Sequence, residues 1–180
     1  MSSTPSAPRE VAVPATLFAS LRDELEKEAG AHQTVRALHY AGYHAGLAAA
    51  SALDAEGGGD AFSMGRTAFW DHLAAFFAKR GWGTLSHRDA HPGIGVLSSS
   101  DWAEAKPDRV DAQASCSFSA GFLSGLMSQL AGGPIAVLEI GCRSRGGRSC
   151  DFAFGSEGAI QALYGRLVEG DDLDRALATI

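Results

Sequence analysis

The chain has 180 residues, 46% of them hydrophobic and 20% charged, which is enough apolar material for a buried core and excludes global disorder. A net charge of -6 excludes the basic face that nucleic-acid binding needs, and no apolar run reaches the roughly 18 residues of a membrane span. Three cysteines, an odd number, fit a reducing compartment better than a disulfide framework.

Residues 1–13 read as a disordered leader. Met1 to Pro8 are Ser- and Pro-rich without the charged-then-apolar pattern of a secretion signal, so a cytoplasmic protein is expected. Residues 14–60 read as N-terminal helices. Pro14 suits a first helical turn, and Leu17, Leu21 and Leu25 follow at i, i+4 spacing among charged residues, an amphipathic helix closed by Gly30. A second helix is predicted over 33–53, with Gly42 and Gly46 as a small-residue pair that lets another helix approach closely. Its His39 and His44, at i, i+5, are poorly placed to share a metal and read as packing or surface groups.

Residues 56–60 (EGGGD) form a linker; no Gly-Lys-Ser/Thr follows, so a phosphate loop is not indicated. A third helix is predicted over 62–79, with Phe69, Leu73, Phe76 and Phe77 on its apolar side and Gly81 as its stop. Segments 82–88 and 93–99 read as a hairpin about the turn from Asp89 to Gly93. Gly93-Ile94-Gly95 leads into a strand and lacks a third glycine, so it is no dinucleotide fingerprint. After a polar loop over 106–109, a fourth helix is predicted over 112–130, with Phe118, Phe122, Leu126 and Leu130 buried and Gly121 and Gly125 as a second close-packing pair. Two strands follow, 134–142 and 149–154, and then two short helices over 157–168 and 172–179. Asp171, Asp172 and Asp174 form the acidic start of the last helix. The expected class is α+β, an antiparallel sheet of about four strands packed against helices, with an N-terminal helical segment.

All three cysteines fall between Cys116 and Cys150. Cys142 and Cys150 flank the loop of the second hairpin, where neighbouring antiparallel strands bring such a pair within reach of one ion. Glu139 precedes Cys142 by three residues, an offset that points to opposite faces of an ideal strand. A bulge or strand end near Gly141 is therefore required for the two to converge. Cys116 would come from the first turn of the fourth helix. Three thiolates and a carboxylate can fill a closed, tetrahedral structural zinc site that keeps no metal-bound water. Arg143, Arg145 and Arg148 are placed to offset its excess negative charge. Spacing alone also allows three ordinary buried thiols, since two close cysteine pairs are missing. Phe69, His72, Phe76, Trp82 and Trp102 are candidates to line a ligand pocket with His72 as its polar handle, or else to form an aromatic core with one satisfied histidine.

The run from Cys116 through Gly121 to Gly125, the Glu139-Ile-Gly-Cys142 run and Gly146 through Cys150-Asp-Phe152 resemble the 4-vinyl reductase domain family. Gly81-Trp82-Gly83 before a hairpin looks like the family's entry, and the resemblance spans about residues 62–168. It implies zinc on Cys116, Glu139, Cys142 and Cys150, an apolar or aromatic small-molecule ligand between sheet and helices, and a homodimer. The family's phenol sensors grip the ligand hydroxyl with a histidine and a tryptophan. His72 lies in the region of the first, but the second falls near Leu97 or Ser98, so phenol itself is not expected. Residues 61–180 are read as the zinc-containing ligand-binding domain, with no catalytic residue assigned. Two alternatives are a reductase or accessory factor acting on a vinyl tetrapyrrole in bacteriochlorophyll-type biosynthesis, and an interaction domain with a filled core. The reductase lacks a complete nicotinamide or flavin fingerprint.

Overall fold

Glycine decides how the central helices of this chain meet. The computed structural model describes residues 9–59, 63–106 and 115–180. Its helices are α1 (Thr16–Ala29), α2 (Ala31–Glu56), α3 (Arg66–Lys79), α4 (Ser117–Ala131), α5 (Glu157–Val168) and α6 (Leu173–Ala178). A Cβ on Gly42 or Gly46 of α2 would lie 2.1 Å from the Phe118 or Phe122 carbonyl oxygen of α4. Reciprocally, a Cβ on Gly121 or Gly125 would lie 2.0 Å from the His39 or Tyr43 carbonyl oxygen. The two small-residue pairs therefore face each other, and the helices touch backbone to backbone over more than a turn.

The strands are β1 (Ser86–His91), β2 (Ile94–Ser99), β3 (Ala136–Gly141) and β4 (Cys150–Gly155), all antiparallel in the order β1-β2-β4-β3. Two hairpins thus join through their second strands. Leu97, paired with Phe152, packs with Phe76, Leu123 and Leu126 on one face. Val96, paired with Ala153, packs with Ile160, Leu163 and Leu177 of α5 and α6 on the other. Helices on both faces explain why β2 is buried at nearly every position, where a sheet with one wet face would alternate. The α+β class with four antiparallel strands is as expected.

Two helices orient differently from the sequence pattern. In α1, Leu17 and Leu21 are 45% and 43% exposed, while Arg22 is buried. The helix is docked through Phe18, which packs on Trp82 and Phe118, and through Arg22, whose guanidinium donates to the Ser115 carbonyl. The fourth helix is buried nearly all round, because α2 and the sheet enclose it from both sides, and Phe118 and Phe122 sit on its less buried side. Its serines are satisfied locally: Ser124 donates to the Ile135 carbonyl at 2.6 Å, and Ser128 accepts from the Ile135 N–H at 2.9 Å. The expected helix starts at 62 and 112, the loop over 107–109 and leader residues 1–8 lie outside the described residues. Among the described residues, no helix is long and apolar enough to cross a membrane.

Candidate functional site

The site begins on β3, where an irregularity in the pairing matters. Glu139 pairs with Phe152, but Gly141 pairs with Asp151, so the register slips by one residue at Ile140. That bulge cancels the odd offset between Glu139 and Cys142 and turns both toward the same point. Beyond it, the Cys142 carbonyl accepts from the N–H groups of Arg145 and Gly147, both at 3.1 Å, which folds residues 143–145 into a tight 3-10 turn. Gly146 takes φ +80° to leave that turn, a conformation that favours glycine. Cys150 then opens β4, and Cys116 arrives as the N-cap residue of α4. The ligand atoms of Cys116, Glu139, Cys142 and Cys150 all lie within 4.8 Å of one another.

This cluster fits a metal ion on its own chemistry. The three thiols are buried, and the Cys116 and Cys150 sulfurs are 3.7 Å apart. Glu139 Oε2 accepts from the Cys116 N–H at 2.9 Å, while its Oε1 is buried with no hydrogen-bond partner. Burial, followed by the negative charge of the neighbouring Cys142 sulfur, raises the Glu139 carboxyl above its ordinary range. Hydrogen bonds from Cys116 and Cys150 lower the Cys142 thiol, whereas the Cys116 thiol is raised. Four acidic groups in so small a volume resist full ionisation together, and a divalent cation is the group that would relieve this. A soft three-thiolate set with one oxygen suits zinc. Arg145 and Arg148 are exposed and Arg143 is half-buried, so any compensation they offer comes from the surface.

A second polar layer supports the cluster, and the sequence pattern does not single it out. Ser115 donates to Ser144 at 2.6 Å and lies 3.5 Å from the Cys142 sulfur. Glu104 is buried and accepts from the backbone N–H groups of Phe118 at 3.0 Å and Ser119 at 2.7 Å, so a carboxylate caps the start of α4. Burial pushes the Glu104 carboxyl up to about 7 against the opposing pull of these hydrogen bonds. Lys106 ties the same loop to α1 through Asp23 at 2.8 Å. Nothing in the local sequence marks Glu104, because its role depends on where α4 arrives.

At the other end of α4 lies a cavity of about 600 Å³. Phe69 and Trp70 of α3, His87 of β1, Met127 and Leu130 of α4, and Phe154 of β4 supply its walls. The Trp70 and His87 rings stack 3.8 Å apart at 8°. Gly95 clears room for the Phe154 ring, which a Cβ there would meet at 2.2 Å. Arg66 and Asp89 also line the cavity and form an ion pair, and His87 Nε2 is 3.6 Å from Asp89. Burial lowers the His87 imidazole below its ordinary value, although Asp89 opposes the shift.

Of the five candidate pocket residues, Phe69 stands in the cavity wall. His72 directs Nε2 to the Leu53 carbonyl at 2.8 Å, which ties α3 to the end of α2. Phe76 is buried under the Arg80 guanidinium, which lies 3.5 Å above its ring. Trp102 is buried and donates from Nε1 to Ser119 at 2.7 Å. Trp82 is half-buried, stacked parallel to Phe118 at 6.1 Å and lying 5.5 Å from Trp102. The sequence signal that would have found His87, Asp89 and His91 is their i, i+2, i+4 alternation, which places them along one face of a strand.

Residues 111–156 match the family model of the 4-vinyl reductase domain, a span that holds all four cluster residues. The chain carries a 4-vinyl reductase domain. No curated protein matches the sequence. The solved structures similar to this 4-vinyl reductase domain chain include the phenol-responsive sensory domain of the transcription activator PoxR with phenol. That likeness has a TM-score of 0.72 at 16% identity, covering 92% of this chain and 85% of that one. A trafficking protein particle complex subunit 3 from Naegleria fowleri, covalently bound to palmitic acid, aligns with a TM-score of 0.62 at 10% identity, covering 78% and 91%. A vinyl-4-reductase family protein from Methanocaldococcus jannaschii aligns at 0.52 and 16% identity, covering 81% and 82%. At these identities the likenesses establish the fold.

Proposed function

We propose that this chain is a zinc-stabilised domain that captures or senses an apolar or aromatic small molecule. The observation that carries the reading is the cavity of about 600 Å³ against the sheet. Its volume lies within the range of small-molecule sites, and its walls are apolar with a few polar groups at fixed places. An interaction domain with a filled core would not maintain such a space. The phenol in the PoxR domain and the palmitic acid in the trafficking subunit support the reading, because the same fold holds apolar-bodied molecules in both. Covalent attachment through sulfur does not carry over, since all three cysteines of this chain stand in the metal cluster.

Zinc belongs to the same proposal, held by Cys116, Glu139, Cys142 and Cys150. A closed four-ligand shell would pin α4, β3 and β4 together, and its binding energy would become folding energy. A homodimer is also proposed, through the exposed Leu17 and Leu21 of α1 together with Val13.

Binding is tested with the neutral fluorophore N-phenyl-1-naphthylamine and the full chain. The expected result is saturable binding of one probe per chain, abolished by Ala131→Trp, which adds bulk at the cavity rim while leaving metal content unchanged. Probe binding that survives Ala131→Trp would remove the cavity from the account.

A further inference from the structure

The hydrogen-bonding side chains around the cavity are unevenly divided between donors and acceptors. Arg66, Trp70, His87 and His91 all offer N–H groups, whereas Asp89 is the one carboxylate among the described side chains that line it. That carboxylate is already engaged, paired with Arg66 and within 3.6 Å of His87. The Trp70 indole N–H, in contrast, is buried and has no hydrogen-bond partner among the described residues. Indole nitrogen can only donate, so an acceptor is the only group that satisfies it. A buried donor without a partner is uncommon in folded proteins and asks for an explanation.

The donors are also grouped. Arg66 and Trp70 are four residues apart on α3 and therefore lie on one helix face a turn apart. The Trp70 ring stacks on His87, and Asp89 follows two residues later on the same strand face. The Arg66–Asp89 pair that spans this group has both side chains about two-thirds exposed, at 68% and 63%. Such a pair is weak in water and exchanges readily for another carboxylate. A guanidinium has five N–H donors arranged for a planar oxyanion, so Arg66 can accept a second acid without losing the first. A cationic ligand head would meet Arg66 and find its only side-chain counter-charge taken.

We propose that the cavity selects an organic acid, a molecule with a large apolar body and a single carboxylate at one end. The body lies among Phe69, Met127, Leu130 and Phe154, and the carboxylate lies on Arg66 and the Trp70 indole N–H. The inference rests on the cavity being a binding site. It goes beyond that reading by naming the charge of the ligand and the residues that choose it. The recognition is non-covalent, and no bond to the protein forms.

The test uses the full chain loaded with N-phenyl-1-naphthylamine and displaced by decanoate or by methyl decanoate, which share a chain and differ in charge. Decanoate is expected to displace the probe at about tenfold lower concentration than the ester. Arg66→Gln, at an exposed position where folding is undisturbed, should bring the two competitors within about twofold of each other, with the ester unchanged. Trp70→Phe keeps the ring on His87, removes the N–H and should weaken decanoate several-fold more than the ester. Equal displacement by acid and ester in the parent chain, or an acid preference that survives Arg66→Gln, overturns the proposal while leaving the cavity as a neutral apolar site. Failure of the chain to bind the probe at all overturns the cavity reading, and this inference falls with it.

Discussion

The two ends of α4 are built on opposite principles. At its N-terminal end, Cys116, Glu104, Ser115 and Ser119 leave little unassigned, and four metal-ligating atoms converge within 4.8 Å. At its C-terminal end, Met127 and Leu130 face about 600 Å³ of space, with an indole N–H left without an acceptor. Between them runs the glycine interface with α2, which fixes the helix by backbone contact. The difference teaches that the stabilising elements and the space for a ligand have been separated along one helix. A cavity keeps its shape only if its walls are held from elsewhere, and here the cluster and the glycine seam do that holding.

The sharpest way to break this division is at the cluster. Cys142→Ser should abolish zinc binding and cost more than about 4 kcal/mol, because structural metal binding is coupled to folding. Metal analysis and a thermal melt check it together. The seam comes next. Gly42→Leu drives a Cβ to within 2.1 Å of a backbone carbonyl that has nowhere to move. It should cost about 3 kcal/mol in denaturant unfolding, with metal content retained in whatever folds.

Glu104 gives a pH signature confined to the rigid end. Its carboxyl is raised from 4.5 to about 7 in the folded chain. The native state therefore holds this proton over a window where the unfolded chain has lost it. Its contribution to stability is fully present below pH ~4.5 and is lost as pH rises through about 7, a change of a few kcal/mol. Glu104→Gln should flatten the unfolding free energy across that window, and an unchanged slope would mean that another group titrates there.

The smallest expected effect belongs to His72. His72→Ala removes a single bond to the Leu53 carbonyl and should cost about 1 kcal/mol, with metal and probe binding unchanged. A large fall in probe affinity instead would place His72 at the ligand.

Much of the rigid end was legible in the sequence. The glycine pairs mark close approach by themselves, and the three-residue offset from Glu139 to Cys142 demanded the bulge that the structure has at Ile140. The terminal acidic run also behaves as read: Asp172 caps α6 by accepting from the Arg175 N–H at 2.8 Å. The cavity end was not legible in the same way, because its walls come from four elements whose meeting is decided by long-range packing. Phe69 and its neighbour Trp70 differ little as sequence, yet only the structure shows that Trp70 carries the unmatched N–H. The face of α1 was misplaced for a related reason. Its leucines follow helical periodicity, but the docking groups are Phe18 and Arg22, and the target of Arg22 is Ser115, 93 residues away.

The most direct measurement is native mass spectrometry of the purified full chain, read for metal and small molecule in one spectrum. The account predicts a folded chain carrying one zinc ion, with an apolar adduct that leaves on gentle activation while the zinc stays. A folded chain at its bare polypeptide mass, with neither zinc nor adduct, would contradict it.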